Sequence, residues 1–365
     1  MSRADRLGSV DPIELVARAR AGDVRARAKL FSLVEVGGAE AQAALAVLTP
    51  LVGHALVVGV TGPPGAGKST LVGELAKAIR RDSETVAILA VDPSSPITGG
   101  AVLGDRIRMQ GLHGDAGAFV RSLSTRGAMG GLARAVGDMV TVADGLSYDV
   151  VIVETVGAGQ DSADIAGIAP TVVLVEVPHL GDDIQSIKAG VLEIASIYAV
   201  NKADLDGADQ TAVTLRAMLS LAHSRDAWNP PVLKVSALTG VGIDKLLEAI
   251  RDHQAFFASS GRRAIWPIER ARRRLWDGFR DRAVELAVAA IAPADFDSVV
   301  DEIAQNRRSL TEGIDCLIRA LEVKLRDQYS PAEEAIPLDA ARSPAESSRT
   351  PSSERIRSID TAQGR

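Results

Sequence analysis

Nine consecutive residues, Gly62-Pro63-Pro64-Gly65-Ala66-Gly67-Lys68-Ser69-Thr70, concentrate the most specific chemistry in the chain. Glycines at 62, 65 and 67 let the backbone turn tightly enough for successive N–H groups to face one anion. A lysine and a hydroxyl follow at once, where a helical pattern opens, and the positive end of a helix also favours negative charge. The spacing G-x-x-x-x-G-K-[ST], between a Val-rich strand and a helix, is that of a phosphate loop. In such a loop Lys68 reaches the β- and γ-phosphates of a nucleotide and the Ser69 hydroxyl ligates Mg²⁺.

A second cluster selects the base. Asn201-Lys202-Ala203-Asp204 closes an apolar strand. A carboxylate at Asp204 can accept hydrogen bonds from N1–H and the exocyclic amine of guanine. Adenine has no N1–H donor, and a site built around a pairing it cannot make rejects it strongly. Ser236-Ala237-Leu238, at the end of the next apolar strand, fits a backbone contact to the guanine oxygen. The pattern therefore points to GTP and GDP rather than ATP.

Acids at other strand ends complete the set. Glu154 ends the apolar run 148–154 and precedes Thr155-Val156-Gly157. It can hold Mg²⁺ through water, while the Gly157 amide meets the γ-phosphate. Gln160 reads either as the group that orients the attacking water or as a solvated loop amide. Asp92, at the end of 85–92, is a candidate for Mg²⁺ or a turn carboxylate. Asp105, in a segment hinged by Gly99, Gly100 and Gly104, is a candidate for Mg²⁺ or a helix N-cap. Gly181-Asp182-Asp183 through Lys188 reads as a nucleotide-sensing loop or a solvated helix start. Arg121–Ala133 is a Gly-rich partner or switch surface or a helix start, and Arg270, Arg272, Arg273 and Arg274 read as a solvated helix face rather than a nucleic-acid site.

The elements that must position these groups follow from the apolar pattern. Runs at 54–60, 85–92, 148–155, 171–178, 197–204 and 231–238 are rich in Val and Ile and lack polar alternation, as strands buried on both faces do. Helix-length connections between them make an α/β fold, a doubly wound, mostly parallel sheet of the P-loop NTPase type with its ligand at the carboxyl ends of the strands. Residues 1–50 form an N-terminal helical extension, with Gly22-Asp23 as a helix stop and N-cap. The nucleotide domain spans 51–258, a C-terminal helical arm spans 259–330, and the polar tail 331–365 is too poor in large apolar residues to fold.

Taken together and in order, GVTGPPGAGKST, VDPSSPITGGAVLGDRIRM, VIVETVGAGQ, GDDIQSIKAG and AVNKADLDGAD closely resemble the MeaB/ArgK family of P-loop GTPases, from about residue 12 to about 325. The resemblance implies GTP binding and hydrolysis with Mg²⁺, and a role as chaperone of an adenosylcobalamin-dependent acyl-CoA mutase, most often methylmalonyl-CoA mutase. GTP would gate cofactor loading and protect the mutase. By position, the family's phosphate loop falls on Gly62–Thr70 and its Mg²⁺-region acids on Asp92, Asp105 and Glu154. Its base-recognition residues fall on Asn201, Lys202 and Asp204, with Ser236 and Ala237 behind them, and its coupling loop on Asp182, Asp183 and Lys188. It also implies a homodimer joined through the C-terminal arm, dimerisation residues lying within 262–325. Two departures touch partner choice. Val156-Gly157-Ala158-Gly159-Gln160-Asp161-Ser162 stands where many relatives read V-G-V-G-Q-S-E, and Pro178-His179-Leu180 replaces a Pro-Gly start.

Composition limits the alternatives. Lysine and arginine number 41 against 47 acids, a net charge of −6, and aromatics are 3%. Neither a basic nucleic-acid surface nor a base-stacking platform is expected. No apolar run is long enough to span a membrane. One cysteine, Cys316, and a polar amino terminus point to the cytoplasm. Five histidines and one cysteine, unclustered, argue against a metal-insertion GTPase. A kinase of a transport component and a non-catalytic, nucleotide-switched interaction module remain as alternatives.

Overall fold

Valine and isoleucine in uninterrupted runs build strands that bury both faces, and each expected run forms one. The computed structural model describes residues 11–92, 110–112, 114–124, 131–155, 164–178, 193–222 and 228–328. The strands are β1 (Leu56–Thr61), β2 (Val86–Asp92), β3 (Ala118–Ser124), β4 (Val150–Glu154), β5 (Thr171–Glu176), β6 (Ile197–Val200) and β7 (Val232–Lys234). They form one sheet in the order β3-β2-β4-β1-β5-β6-β7. Every pairing is parallel. β1 lies between β4 and β5, where the winding changes direction, and a doubly wound sheet opens its ligand crevice at that point.

The strand β3 corrects the first part of the reading of Arg121–Ala133, while the helix start that the reading also offered falls at Gly131, where the helix Gly131–Gly145 opens. Residues 118–124 form an edge strand, and an edge tolerates the polar residue that a central strand would not. Arg121 there makes a half-buried ion pair with Glu35.

The helices are α1 (Pro12–Arg20), α2 (Val24–Val36), α3 (Ala39–Leu48), α4 (Lys68–Arg81), α5 (Gly131–Gly145), α6 (Ala208–Ala222), α7 (Ile243–Ser259), α8 (Arg262–Ala290), α9 (Pro293–Ala304) and α10 (Leu310–Gln328). Alternate strand residues feed two cores. Val57, Leu89, Val151 and Val153 pack with α1–α3 and α5 on one face. Val58, Ile88, Ile152 and Val173 pack with α4 and α7 on the other. The N-terminal extension is thus part of one helical layer. Leu30, Phe31 and Leu48 are fully buried, Phe31 stacks on Phe119 of β3 at 4.4 Å, and each such side chain contributes about 1.5–3 kcal/mol by burial. Gly22 has φ +96° and Asp23 caps α2 by accepting from Arg25 N and Ala26 N, as the sequence indicates.

The chain divides into two compact units, Met1–Ala283 and Val284–Arg365. Within the second, α9 and α10 pair, and Lys324 Nζ donates to Ala290 O at 2.5 Å. The tail 331–365 lies outside the described residues. Among the described residues no helix is long and apolar enough to cross a membrane.

The amino end of β1 is anchored by one buried carboxylate on α5. Asp144 accepts from Gly53 N (2.7 Å), His54 N (3.1 Å) and Ala55 N (3.0 Å). Asp144→Ala strands three partly buried donors and is expected to lower unfolding stability by about 2–4 kcal/mol, measured by denaturant titration; a loss below about 0.5 kcal/mol contradicts the anchor.

Candidate functional site

The loop 62–67 joins β1 to α4 at the carboxyl edge of the sheet. Gly62 has φ +146°, and a Cβ there would sit 2.1 Å from Val175 O, so the loop lies directly against β5. Gly67, the αL residue before α4, has φ +83°. A Cβ there would sit 2.6 Å from Asn201 Nδ2. Glycine is required at both by conformation and by space. Pro63 O accepts from Ala66 N at 3.2 Å, and Lys68 Nζ donates to Gly62 O at 2.8 Å and Pro63 O at 3.0 Å. The lysine therefore lies over the loop it serves. Pro64, Gly65 and Thr70 are exposed, whereas Ala66, Lys68 and Ser69 are buried.

Ser69, in the first turn of α4, donates its hydroxyl to Glu154 Oε1 at 2.6 Å. Both are buried, and Glu154 occupies the last position of β4, beside Val60 of β1. A hydroxyl and a carboxylate brought together at the phosphate end of a sheet are a hard-oxygen donor pair, and such a pair suits Mg²⁺. Asp92 is the last residue of β2, in register with Ser124 and two positions beyond the level of Glu154. Asp105, Gly157, Gln160, Asp182, Asp183 and Lys188 lie outside the described residues.

The residues expected on the base side converge on the ends of β6 and β7. Asn201 is buried, and its side chain reaches two ways. Nδ2 donates to Ala66 O at 2.8 Å, and Oδ1 accepts from Ala237 N at 3.1 Å. Lys202 follows with φ +56°, the αL turn that brings Ala203 N to Val235 O at 3.0 Å. Asp204, exposed, accepts from Ser236 Oγ at 2.5 Å. Ser236 Oγ also takes Thr239 N at 3.3 Å. Leu238 is 83% exposed, which leaves only its backbone as a specific contact. The structure thus joins Gly62–Thr70, Asn201–Asp204 and Ser236–Leu238 in one continuous surface.

One acid at this site is absent from the sequence reading. Glu176 ends β5, beside the phosphate loop, and is buried. Burial pushes its carboxyl up to about 7, against the pull of the Lys68 ammonium. A carboxyl group ending a buried strand is the signal that picked out Glu154, and it was present here in TVVLVE.

Sheet order, phosphate loop and base loop define a P-loop NTPase of the GTPase kind. The sequence model for methylmalonyl Co-A mutase-associated GTPase MeaB matches residues 27–292, and the chain belongs to that family and is a GTPase. A Pyrococcus horikoshii protein, provisionally named as a GTPase, is 49% identical over 254 residues, covering 69% of this chain and 80% of its own. The mouse protein named methylmalonic aciduria type A homolog, mitochondrial, is 33% identical over 232 residues, covering 62% of this chain and 56% of its own. Among solved structures, that of a LAO/AO transport system kinase superposes with a TM-score of 0.65 at 27% identity, covering 88% of this chain and 99% of its own.

The Glu176 shift has a definite sign. Below about pH 4.5 the carboxyl holds its proton folded or unfolded, and burial costs no charge. Between 4.5 and about 7 the unfolded chain releases the proton first, so stability falls as pH rises and levels off above 7. Nucleotide-free Glu176→Gln is expected to gain on the order of 2–3 kcal/mol over the parent at pH 8 and nothing at pH 4. Thermal unfolding across this range checks it, and a gain independent of pH contradicts it.

Proposed function

We propose that this GTPase gates adenosylcobalamin loading into an acyl-CoA mutase and protects that enzyme, with methylmalonyl-CoA mutase as the first candidate. The family match over residues 27–292 carries this reading, and the name of the mouse relative supports it. We assign Gly62–Thr70 to the phosphates, with Lys68 leaving the carbonyls of Gly62 and Pro63 for the β- and γ-oxygens. A phosphate oxygen offers that ammonium a stronger, charge-assisted partner. Asn201, Lys202 and Asp204 hold guanine, with Ser236, Ala237 and Leu238 lining the base.

Mg²⁺ would be held by Ser69 and Glu154, with Asp92 and Asp105, and would neutralise charge on the phosphates. Ser69 would turn its hydroxyl proton from Glu154 and present its lone pair. Gly157 meets the γ-phosphate and Gln160 orients water. With no cationic finger assigned to the site, hydrolysis is slow alone and accelerates when a partner completes it. Asp182, Asp183 and Lys188 couple nucleotide state to the mutase. A homodimer through the C-terminal arm, in the cytoplasm, completes the proposal. Leu275, Trp276 and Phe279, exposed on α8, give that arm an apolar strip.

A second reading, phosphoryl transfer to a transport component, draws on the likeness to the transport system kinase. Phosphate release from GTP and from ATP, with and without a purified adenosylcobalamin-dependent mutase, separates the two. The expected outcome is GTP-specific release that rises at least about tenfold with the mutase and is abolished by Lys68→Ala. Labelled protein from γ-labelled GTP, with no response to the mutase, favours the second.

A further inference from the structure

A cavity of about 430 Å³ opens at the amino ends of β1 and β5, lined by residues 49–57, α5, the end of α7 and the start of α8. This is the edge of the sheet opposite the phosphate loop. Its volume falls in the range of small-molecule sites, roughly 300–1,000 Å³. Leu56, Phe257, Trp266 and Pro267 form apolar walls. Trp266, Arg270 and Arg274 recur every four residues on α8, so one face of that helix lines the cavity.

The polar groups around the cavity are unevenly satisfied. Asp144 has its two oxygens engaged by three backbone N–H groups. Arg274 is committed to Asp138. Arg270 lies over the Trp266 ring at 5.2 Å. Its Nη2 reaches Gly137 O only at 3.4 Å. Its Nε is buried and has no hydrogen-bond partner. Burial, then the neighbouring Arg274, pushes the guanidinium down to about 10, against the pull of Asp144 and Asp138. A buried guanidinium N–H without an acceptor is costly, and native proteins seldom leave one unanswered. The reading of 270–274 as a solvated face therefore fails at Arg270 and Arg274, while Arg272 and Arg273 remain exposed.

We propose that this cavity binds a small amphipathic monocarboxylate, with its head on Arg270 and its apolar body against Phe257 and Trp266. The planar guanidinium fork fits a carboxylate. With Arg274 paired to Asp138 and the charge of Asp144 also acting on Arg270, the cavity favours a single negative charge over a dianionic phosphate. Exposed Arg263 stands among the lining residues and favours the approach of an anion. The site is independent of the guanine nucleotide and of the mutase reading.

The test is calorimetric titration of the full chain, saturated with GDP and Mg²⁺, with 4-phenylbutyrate, 4-phenylbutanol and phenyl phosphate. The acid is expected to bind saturably and at least about tenfold more tightly than the alcohol, the increment of a charge-assisted pair. Arg270→Met should erase that preference and leave the alcohol unaffected. Because it removes a guanidinium whose buried Nε has no partner, that variant should melt no lower than the parent. Arg270→Lys, which keeps the charge and loses the fork, should retain only part of the preference. Absence of saturable binding, equal binding of acid and alcohol, a preference that survives Arg270→Met, or tighter binding of phenyl phosphate would each overturn the assignment.

Discussion

The side-chain amide of Asn201 holds the two halves of the site in one frame. Its nitrogen fixes the phosphate loop through Ala66 O, and its oxygen fixes the base loop through Ala237 N. Its own backbone N–H donates to Glu176 O at 2.7 Å, which seats it at the end of β6 beside β5. Gly67 has no Cβ, so the amide can lie against the loop. Loss of this side chain would leave buried groups on both loops unsatisfied, at about 1–3 kcal/mol each. The positions of Lys68, Asp204 and Ser236 all depend on those two loops.

Around this clamp the protein keeps groups that a core would exclude. Lys68, Ser69, Glu154 and Glu176 are buried at one edge of the sheet. Lys68 rests on loop carbonyls, Ser69 on Glu154, and Glu176 tends to hold its proton. Each arrangement is a local settlement that the phosphates of a guanine nucleotide can displace. The opposite edge is settled differently. There Asp144 is fully engaged, whereas Arg270 has capacity to spare.

Six strands and the Gly-rich turn from β1 into α4 were legible in the sequence because each follows a short-range rule. Buried parallel strands are continuous apolar runs, and loops that meet phosphates need glycine, lysine and a hydroxyl in fixed order. β3 was not legible, since its Arg121 looks like a surface residue until Glu35 of a distant helix arrives to pair with it. Asn201 was legible as a base-side residue but not as a clamp, because Ala66 lies 135 positions away. Glu176 could have been found from its strand-end position. Arg270 and Arg274 were misread as solvated because their four-residue spacing with Trp266 shows a shared face, and only the fold shows what that face meets. The extension before residue 50 read as a preface, yet Phe31 and Leu48 belong to the main core.

The most direct test of the clamp is the GDP affinity of Asn201→Ala, read together with amide hydrogen exchange at the phosphate and base loops. The account predicts a loss of about 30- to 1,000-fold in affinity, on the order of 2–4 kcal/mol, with faster exchange in both loops and the rest of the sheet unchanged. Affinity within about twofold of the parent, or loosening confined to one loop, would contradict it.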